Sequence, residues 1–162
     1  SAPMLGFKNE KFLRAASSIM NILRRDTDYL LGSKPNMGRE TPFEENDLTS
    51  DPVRYDRIIN LVRKHPDIRL WGVTNSFAKA VNKRFKIMRS KNWAEKIKLE
   101  IFIINSLDDS VVDPNKTLEM SRRIQNSKIL DFKGCMHEIF MEKDFHRAKM
   151  WKGIDDFLRN TK

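Results

Sequence analysis

The sequence predicts an α/β protein in which a helical front half leads into a strand–loop–helix–strand–loop–helix unit with parallel strands. Three observations predict it. Through about residue 90 the apolar residues recur at helical spacing, and no convincing strand interrupts them. At Ile101-Phe102-Ile103-Ile104 the pattern becomes an unbroken apolar run rich in β-branched side chains, as in a strand covered on both faces. Two Asp-Pro pairs, Asp51-Pro52 and Asp113-Pro114, each put a capping carboxylate before a residue whose fixed φ suits the first helical turn.

Taken in order, residues 10–23 set Phe12, Ala16, Ile19, Met20 and Leu23 on one helical face. Gly32, Pro35 and Gly38 break that pattern, and Glu44-Glu45-Asn46-Asp47 reads as a loop. A second helix opens at Asp51-Pro52, carries Tyr55, Ile58, Ile59 and Val62, and must stop at His65 because Pro66 follows. A third starts near Thr74 and carries Phe77, Val81, Phe85 and Met88. Residues 97–104 then form the first expected strand, and Asp113-Pro114 opens a helix with Leu118, Ser121 and Ile124 inward. Residues 128–132 form the second strand, and Asp144 is expected to cap a last helix with Ala148, Trp151, Ile154 and Leu158 inward. Two buried parallel strands leave edges and faces that need further strands and helices. The rest of the sheet is therefore expected outside these residues, and the start at Ser1-Ala2-Pro3 is expected to be a cut within a domain.

Composition narrows the function classes. With 40% hydrophobic and 33% charged residues the 162-residue chain belongs with globular domains and not with disordered ones. It holds no apolar run of the roughly 20 residues that span a bilayer, and no signal-peptide pattern. One cysteine, Cys135, precludes an internal disulfide framework and suits a reducing, cytoplasmic setting. The net charge of +9 is local: residues 51–100 hold thirteen basic and five acidic side chains, a net of +8. Such a patch suits an anionic lipid surface, a nucleic acid, or simply a solvated helix face. Nucleic acid is not expected, since no C₂H₂ spacing, RNP-type aromatic motif or helix-turn-helix joint accompanies the charge.

The chemistry-bearing residues lie in two loops. Ligands of open parallel sheets bind beyond the carboxyl ends of the strands. From those ends leave Ser106-Leu107-Asp108-Asp109-Ser110-Val111-Val112-Asp113 and Gly134-Cys135-Met136-His137-Glu138. With the strands side by side, Asp109 and His137 meet at one edge, where a carboxylate can fix the imidazole tautomer and stabilise the imidazolium. The plainer readings stand beside this: Asp113 caps a helix, Asp108 is a turn residue, a lone Asp109 would be a loop solubiliser and a lone His137 structural. His65 and His146 fit surface or capping roles, and Cys135 is a small buried filler. None of the six glycines flanks a serine as G-x-S-x-G, so the chain has no nucleophile elbow. No metal-ligand spacing and no phosphate-cradling glycine loop is present, and no cofactor is expected.

Asp109-Ser110-Val111-Val112 resembles the D-x-V-V acid loop of the bacterial lysophospholipase and monoacylglycerol lipase group of α/β-hydrolases. Gly134-Cys135-Met136-His137-Glu138 with Glu142 resembles that group's G-x-x-H-E-x-x-x-E histidine loop. Ser1-Ala2-Pro3-Met4 is similar to the segment after the strand that follows the nucleophile helix. Leu48-Thr49-Ser50-Asp51-Pro52 with Tyr55, His65-Pro66 and Trp71-Gly72-Val73-Thr74 are similar to the lid of lysophospholipase L2-like proteins. The resemblance implies the C-terminal part of an α/β-hydrolase parallel sheet preceded by a helical lid: residues 1–6 end a core strand, 7–92 form the lid and 93–162 the end of the core. It implies a serine-type carboxylic-ester hydrolase, a lysophospholipase or monoacylglycerol lipase, in which Asp109 orients His137 as general base. The serine and oxyanion-hole loop would precede Ser1, so this chain alone would be inactive. A peptidase or small-ester hydrolase on the same scaffold, or a non-catalytic basic binding module, are the alternatives. The implied partners are a lipid or ester substrate, the missing N-terminal part of the fold, and an anionic membrane surface met peripherally by the basic lid.

Overall fold

A computed structural model describes residues 10–23, 25, 27–30, 41–68 and 72–161. The expected breakers Gly32, Pro35 and Gly38, the segment Ser1 to Met4, and Trp71 lie outside the described residues. Among the described residues five α-helices and two strands follow one another: α1 Glu10–Ile22, α2 Pro52–Lys64, α3 Asn75–Met88, β1 Ile101–Ser106, α4 Pro114–Arg123, β2 Ser127–Phe132 and α5 Asp144–Asn160.

Local chemistry sets most of the boundaries. The Asp51 carboxylate accepts the Arg54 amide, Pro52 occupies the first turn, and α2 ends at Lys64 before His65-Pro66. The Thr74 hydroxyl accepts the Phe77 amide at the start of α3, and Asp113 accepts the Asn115 amide ahead of Pro114 in α4. Each of these caps satisfies an amide that has no partner within its helix. The chain leaving α1 is tied to the start of α3 by the antiparallel bridge Tyr29–Thr74 and by Leu30 N–H donating to the Val73 carbonyl at 2.8 Å. The fully buried Asn75 amide donates to the carbonyls of Arg25 (3.0 Å) and Asp28 (3.1 Å).

β1 and β2 pair in parallel, with Ile101 opposite Ser127 and Ser106 opposite Phe132. Alternation along the strands distributes the helices over the two faces. Ile101 joins Met120 of α4 and Ile124 just past its end, together with Ala94, Met88, Trp93 and Ile97. Ile104, Leu130 and Phe132 join Met150 and Ile154 of α5, together with Cys135 and Ile139. Arg123 at the end of α4 reaches back to the front half, donating to the carbonyls of Met88 (3.3 Å) and Ser90 (2.8 Å) and to Glu95 (3.0 Å).

Five expectations need correction. The first strand begins at Ile101, not Ile97: Ala94–Lys96 form a 3₁₀ turn, and Ile97 packs against the Met120 cluster instead of entering the ladder. Several strand residues, including Ile101, Phe102 and Ile104, are half-buried, because in a two-stranded sheet each strand has one unpaired side. The α1 stripe does not point uniformly inward; Ala16 is buried and Met20 half-buried, but Phe12, Ile19 and Leu23 are exposed. The inward face of α5 is turned by about one residue from the expected stripe. Met150 is fully buried and Ile154 and Phe157 half-buried, while Ala148, Trp151 and Leu158 face solvent. Gly153 explains the turn: a Cβ there would lie 2.8 Å from Leu130 Cδ2 and 3.1 Å from Phe102 Cζ, so the helix meets the sheet across its glycine. Asp144 is likewise the first helical residue of α5 and not its cap; its carboxylate accepts from Arg54 at 2.5 Å and from Arg147 at 3.3 Å.

Candidate active site

Both chemistry-bearing loops leave the carboxyl ends of adjacent parallel strands. Leu107 extends the ladder by one bond, its amide donating to the Phe132 carbonyl at 2.8 Å. The acid loop then folds around Asp109. Its Oδ1 accepts the amides of Val111 (2.8 Å) and Val112 (2.9 Å), the local turn a short carboxylate favours. The histidine loop reverses at Gly134, whose φ of 79° lies in the left-handed region that suits glycine. Neighbouring residues stitch the loops together: Gly134 N–H donates to Asp108 Oδ2 at 2.6 Å, and Ser106 Oγ donates to the Cys135 carbonyl at 2.5 Å.

These constraints bring Asp109 and His137 into contact. His137 Nδ1 lies 2.9 Å from Asp109 Oδ2 and 3.1 Å from Oδ1. Asp109 is 1% exposed. Burial opposes its ionisation most strongly, yet hydrogen bonds from His137 and from the Val112 and Val111 amides outweigh that and hold its carboxyl below the ordinary value. An ionised Asp109 is an acceptor only, so the proton of this contact is assigned to Nδ1, which leaves the Nε2 lone pair for an external proton. Glu138 Oε1 lies 3.7 Å from Nε2, beyond hydrogen-bond range.

The remaining candidates separate from this pair. Asp108 serves Gly134, and Asp113 serves the α4 amide. His65 is exposed at the end of α2. His146 is half-buried against the rings of Phe145 and Phe132, a packing role in place of the expected surface or capping one. Cys135 is fully buried, and burial, reinforced by the Glu142 charge, pushes its thiol up to about 12, so it stays neutral and unreactive. Among the described residues no group of three His, Cys, Asp or Glu side chains is placed to hold a metal ion.

One part of the site has no counterpart in the residue-by-residue reading of the sequence. The lead-in to α2 lies directly on the histidine loop: His137 N–H donates to the Asp47 carbonyl (3.3 Å), Glu138 N–H to the Leu48 carbonyl (2.8 Å) and Thr49 Oγ1 to the Met141 carbonyl (2.7 Å). Asp47 also accepts from Ser110 Oγ in the acid loop. The sequence offers a partial signal, the acid Glu142 straight after the apolar run Ile139-Phe140-Met141, and it does not name the partner segment.

The family model described as serine aminopeptidase, S33, matches residues 1–144. The chain belongs to that family. Among curated proteins it is similar to the probable lysophospholipase L2 of Haemophilus influenzae, 28% identical over 142 residues. That match covers 87% of this chain and 44% of the relative, so the chain spans less than half the length of the curated relative it matches. Among solved structures it is similar to a soluble variant of the monoglyceride lipase of Saccharomyces cerevisiae, solved in complex with a substrate analogue. The TM-score is 0.61 at 17% identity, covering 97% of this chain and 53% of the other. The monoacylglycerol lipase of Paleococcus ferrophilus follows, with a TM-score of 0.60 at 18% identity, covering 96% of this chain and 57% of the other. At these identities the structural likeness shows the fold, that of an α/β-hydrolase, and the relatives are hydrolases.

Proposed function

We propose that the chain supplies the acid and the general base of a serine-type carboxylic-ester hydrolase that acts on lysophospholipids or monoacylglycerols. The observation that carries this reading is the contact between buried Asp109 and His137 Nδ1 at 2.9 Å, at the carboxyl edge of the parallel sheet. The serine would come from the part of the family fold that precedes residue 1, since no glycine here flanks a serine in the elbow pattern. His137 Nε2 would take the serine hydroxyl proton as Oγ attacks the ester carbonyl, then return it to the departing alcohol, leaving an acyl-serine. Water activated by the same nitrogen would release the fatty acid, and Asp109 would hold the ring and stabilise the imidazolium in both steps. The 162 residues alone are expected to be inactive.

The name of the curated relative supports a lysophospholipid substrate, and those of the structural relatives support a monoacylglycerol. The family description favours a second reading, removal of amino-terminal residues from peptides. Fatty-acid release from a lysophospholipid and a monoacylglycerol, measured beside release from an aminoacyl amide, separates the two. Release from the amide alone would refute the ester reading. Residues 7–92 would be the lid, and among its described basic side chains Arg57, Lys79, Lys83 and Lys86 are exposed. Each would contribute up to about 1 kcal/mol to contact with an anionic membrane. Equal binding to vesicles with and without anionic lipid would count against that contact.

A further inference from the structure

We propose that Glu142 is a positioning residue for His137, tying the histidine loop to Ser50 of the α2 lead-in so that the imidazole stays on Asp109. This inference rests on the reading of His137 as general base. Glu142 is 0% exposed, although a carboxylate is costly to bury. What offsets the cost is a set of three donors. Oε1 accepts the amides of Met136 (2.8 Å) and Ser50 (3.1 Å), and Oε2 accepts Ser50 Oγ at 2.5 Å. Hydrogen bonds to an ionised acceptor are shorter and about twice as strong as neutral ones, which makes this the firmest link between segments 92 residues apart.

The placement of the donors gives the link its meaning. Met136 directly precedes His137, so its amide fixes the backbone from which the imidazole projects. Ser50 lies in the same segment as Asp47, which accepts from the His137 amide on one side and from Ser110, next to Asp109, on the other. The acid loop and the histidine loop thus share one anchor, and Glu142 is the side chain that ties the residue just before His137 to it, while Glu138 N–H on Leu48 (2.8 Å) and Thr49 Oγ1 on Met141 (2.7 Å) tie the residues after it. Of the other bonds across this seam, that from His137 N–H to Asp47 is long at 3.3 Å. Without Glu142 the half-buried amides of Met136 and Ser50 would lose their acceptor, and the loop would shift to find others. Misplacement by about 1 Å can cost about 10²-fold in rate.

In the complete hydrolase, Glu142→Ala is expected to lower kcat about 10²-fold with KM nearly unchanged, and to weaken the downfield Nδ1–H proton resonance of His137. Ser50→Ala, which removes one charge-assisted donor, should cost about 10-fold in kcat. Glu142→Gln should recover most of the rate, because its amide oxygen can still accept from Met136 and Ser50 while its NH₂ faces Ser50 Oγ. Should Glu142→Ala not fold, Ser50→Ala and Glu142→Gln decide by the same two readouts. Variants that melt earlier but keep both kcat and the resonance would overturn the proposal and leave Glu142 a fold stabiliser. A wild-type enzyme without ester hydrolysis would overturn the proposed function instead. The resonance, which needs no turnover, would then decide on Glu142 alone.

Discussion

Ile22, at the end of α1, leaves 82% of its surface to solvent, whereas Met150 in α5 leaves none. Both belong to helices with an apolar face, yet the front half keeps Phe12, Ile19, Leu23 and Phe77 largely outside, while the second half closes around Phe132, Cys135 and Met150. The polar groups divide in the same way. Asp109 and Glu142 are buried behind complete sets of donors, while the charges of α3 face water. Buried polar contacts are concentrated around Asp109 and His137, and the described part of the front half presents apolar and basic surface. In a member of a family of hydrolases, that contrast is what a rigid acid–base pair beneath a substrate-facing lid would need.

The largest break in this contrast should come from Asp109→Asn in the complete hydrolase. The amide keeps the volume but reverses the tautomer preference of His137, and a loss of about 10⁴-fold in kcat is expected from ester-release kinetics. Asp108→Asn, one residue away, keeps an oxygen for Gly134 and should change kcat little; the reverse ranking would mean that the wrong neighbour had been placed on His137. Second comes Gly153→Val, which drives a branched side chain into Leu130 and Phe102. Thermal melting should register a loss of about 1–3 kcal/mol. A smaller effect, about 1 kcal/mol in chemical denaturation, is expected for Arg123→Ala, which takes the guanidinium from the Met88 carbonyl and leaves that of Ser90 with the Trp93 amide alone. In the front half, Ile22→Ser should stay within about 0.5 kcal/mol, since little surface is buried there.

Acid sharpens the same comparison. The folded-state value of Asp109 lies below the unfolded one, so its contribution to stability is fully present above about pH 4 and is lost as the pH falls through the depressed folded value. Asp109→Asn should therefore flatten the dependence of stability on pH in that acid window, measured by denaturant titration at several pH values. An unchanged slope would show that the carboxylate is not held ionised by its donors.

Local chemistry made much of this readable in advance. Asp51-Pro52 and Asp113-Pro114 announced their helices because a cap and a fixed φ act within four residues. The pairing of Asp109 with His137 followed from the rule that adjacent parallel strands deliver their loops to one edge. The facing of α5 was misread because two stripes a residue apart are both apolar; which one turns inward depends on how closely Gly153 meets Leu130, a tertiary fact. In α1, periodicity forecast a helix correctly but could not say how much of Phe12 or Ile19 would be covered. The link from Glu142 to Ser50 spans 92 residues, and no local pattern in either segment points to the other.

His137 is proposed above as the base of a serine hydrolase. The most direct test is His137→Ala in the complete enzyme, followed by fatty-acid release from a lysophospholipid or monoacylglycerol and by the melting temperature of the same preparation. Turnover reduced to background with the melting temperature little changed is the predicted result. Release at the wild-type rate from the folded variant would contradict it.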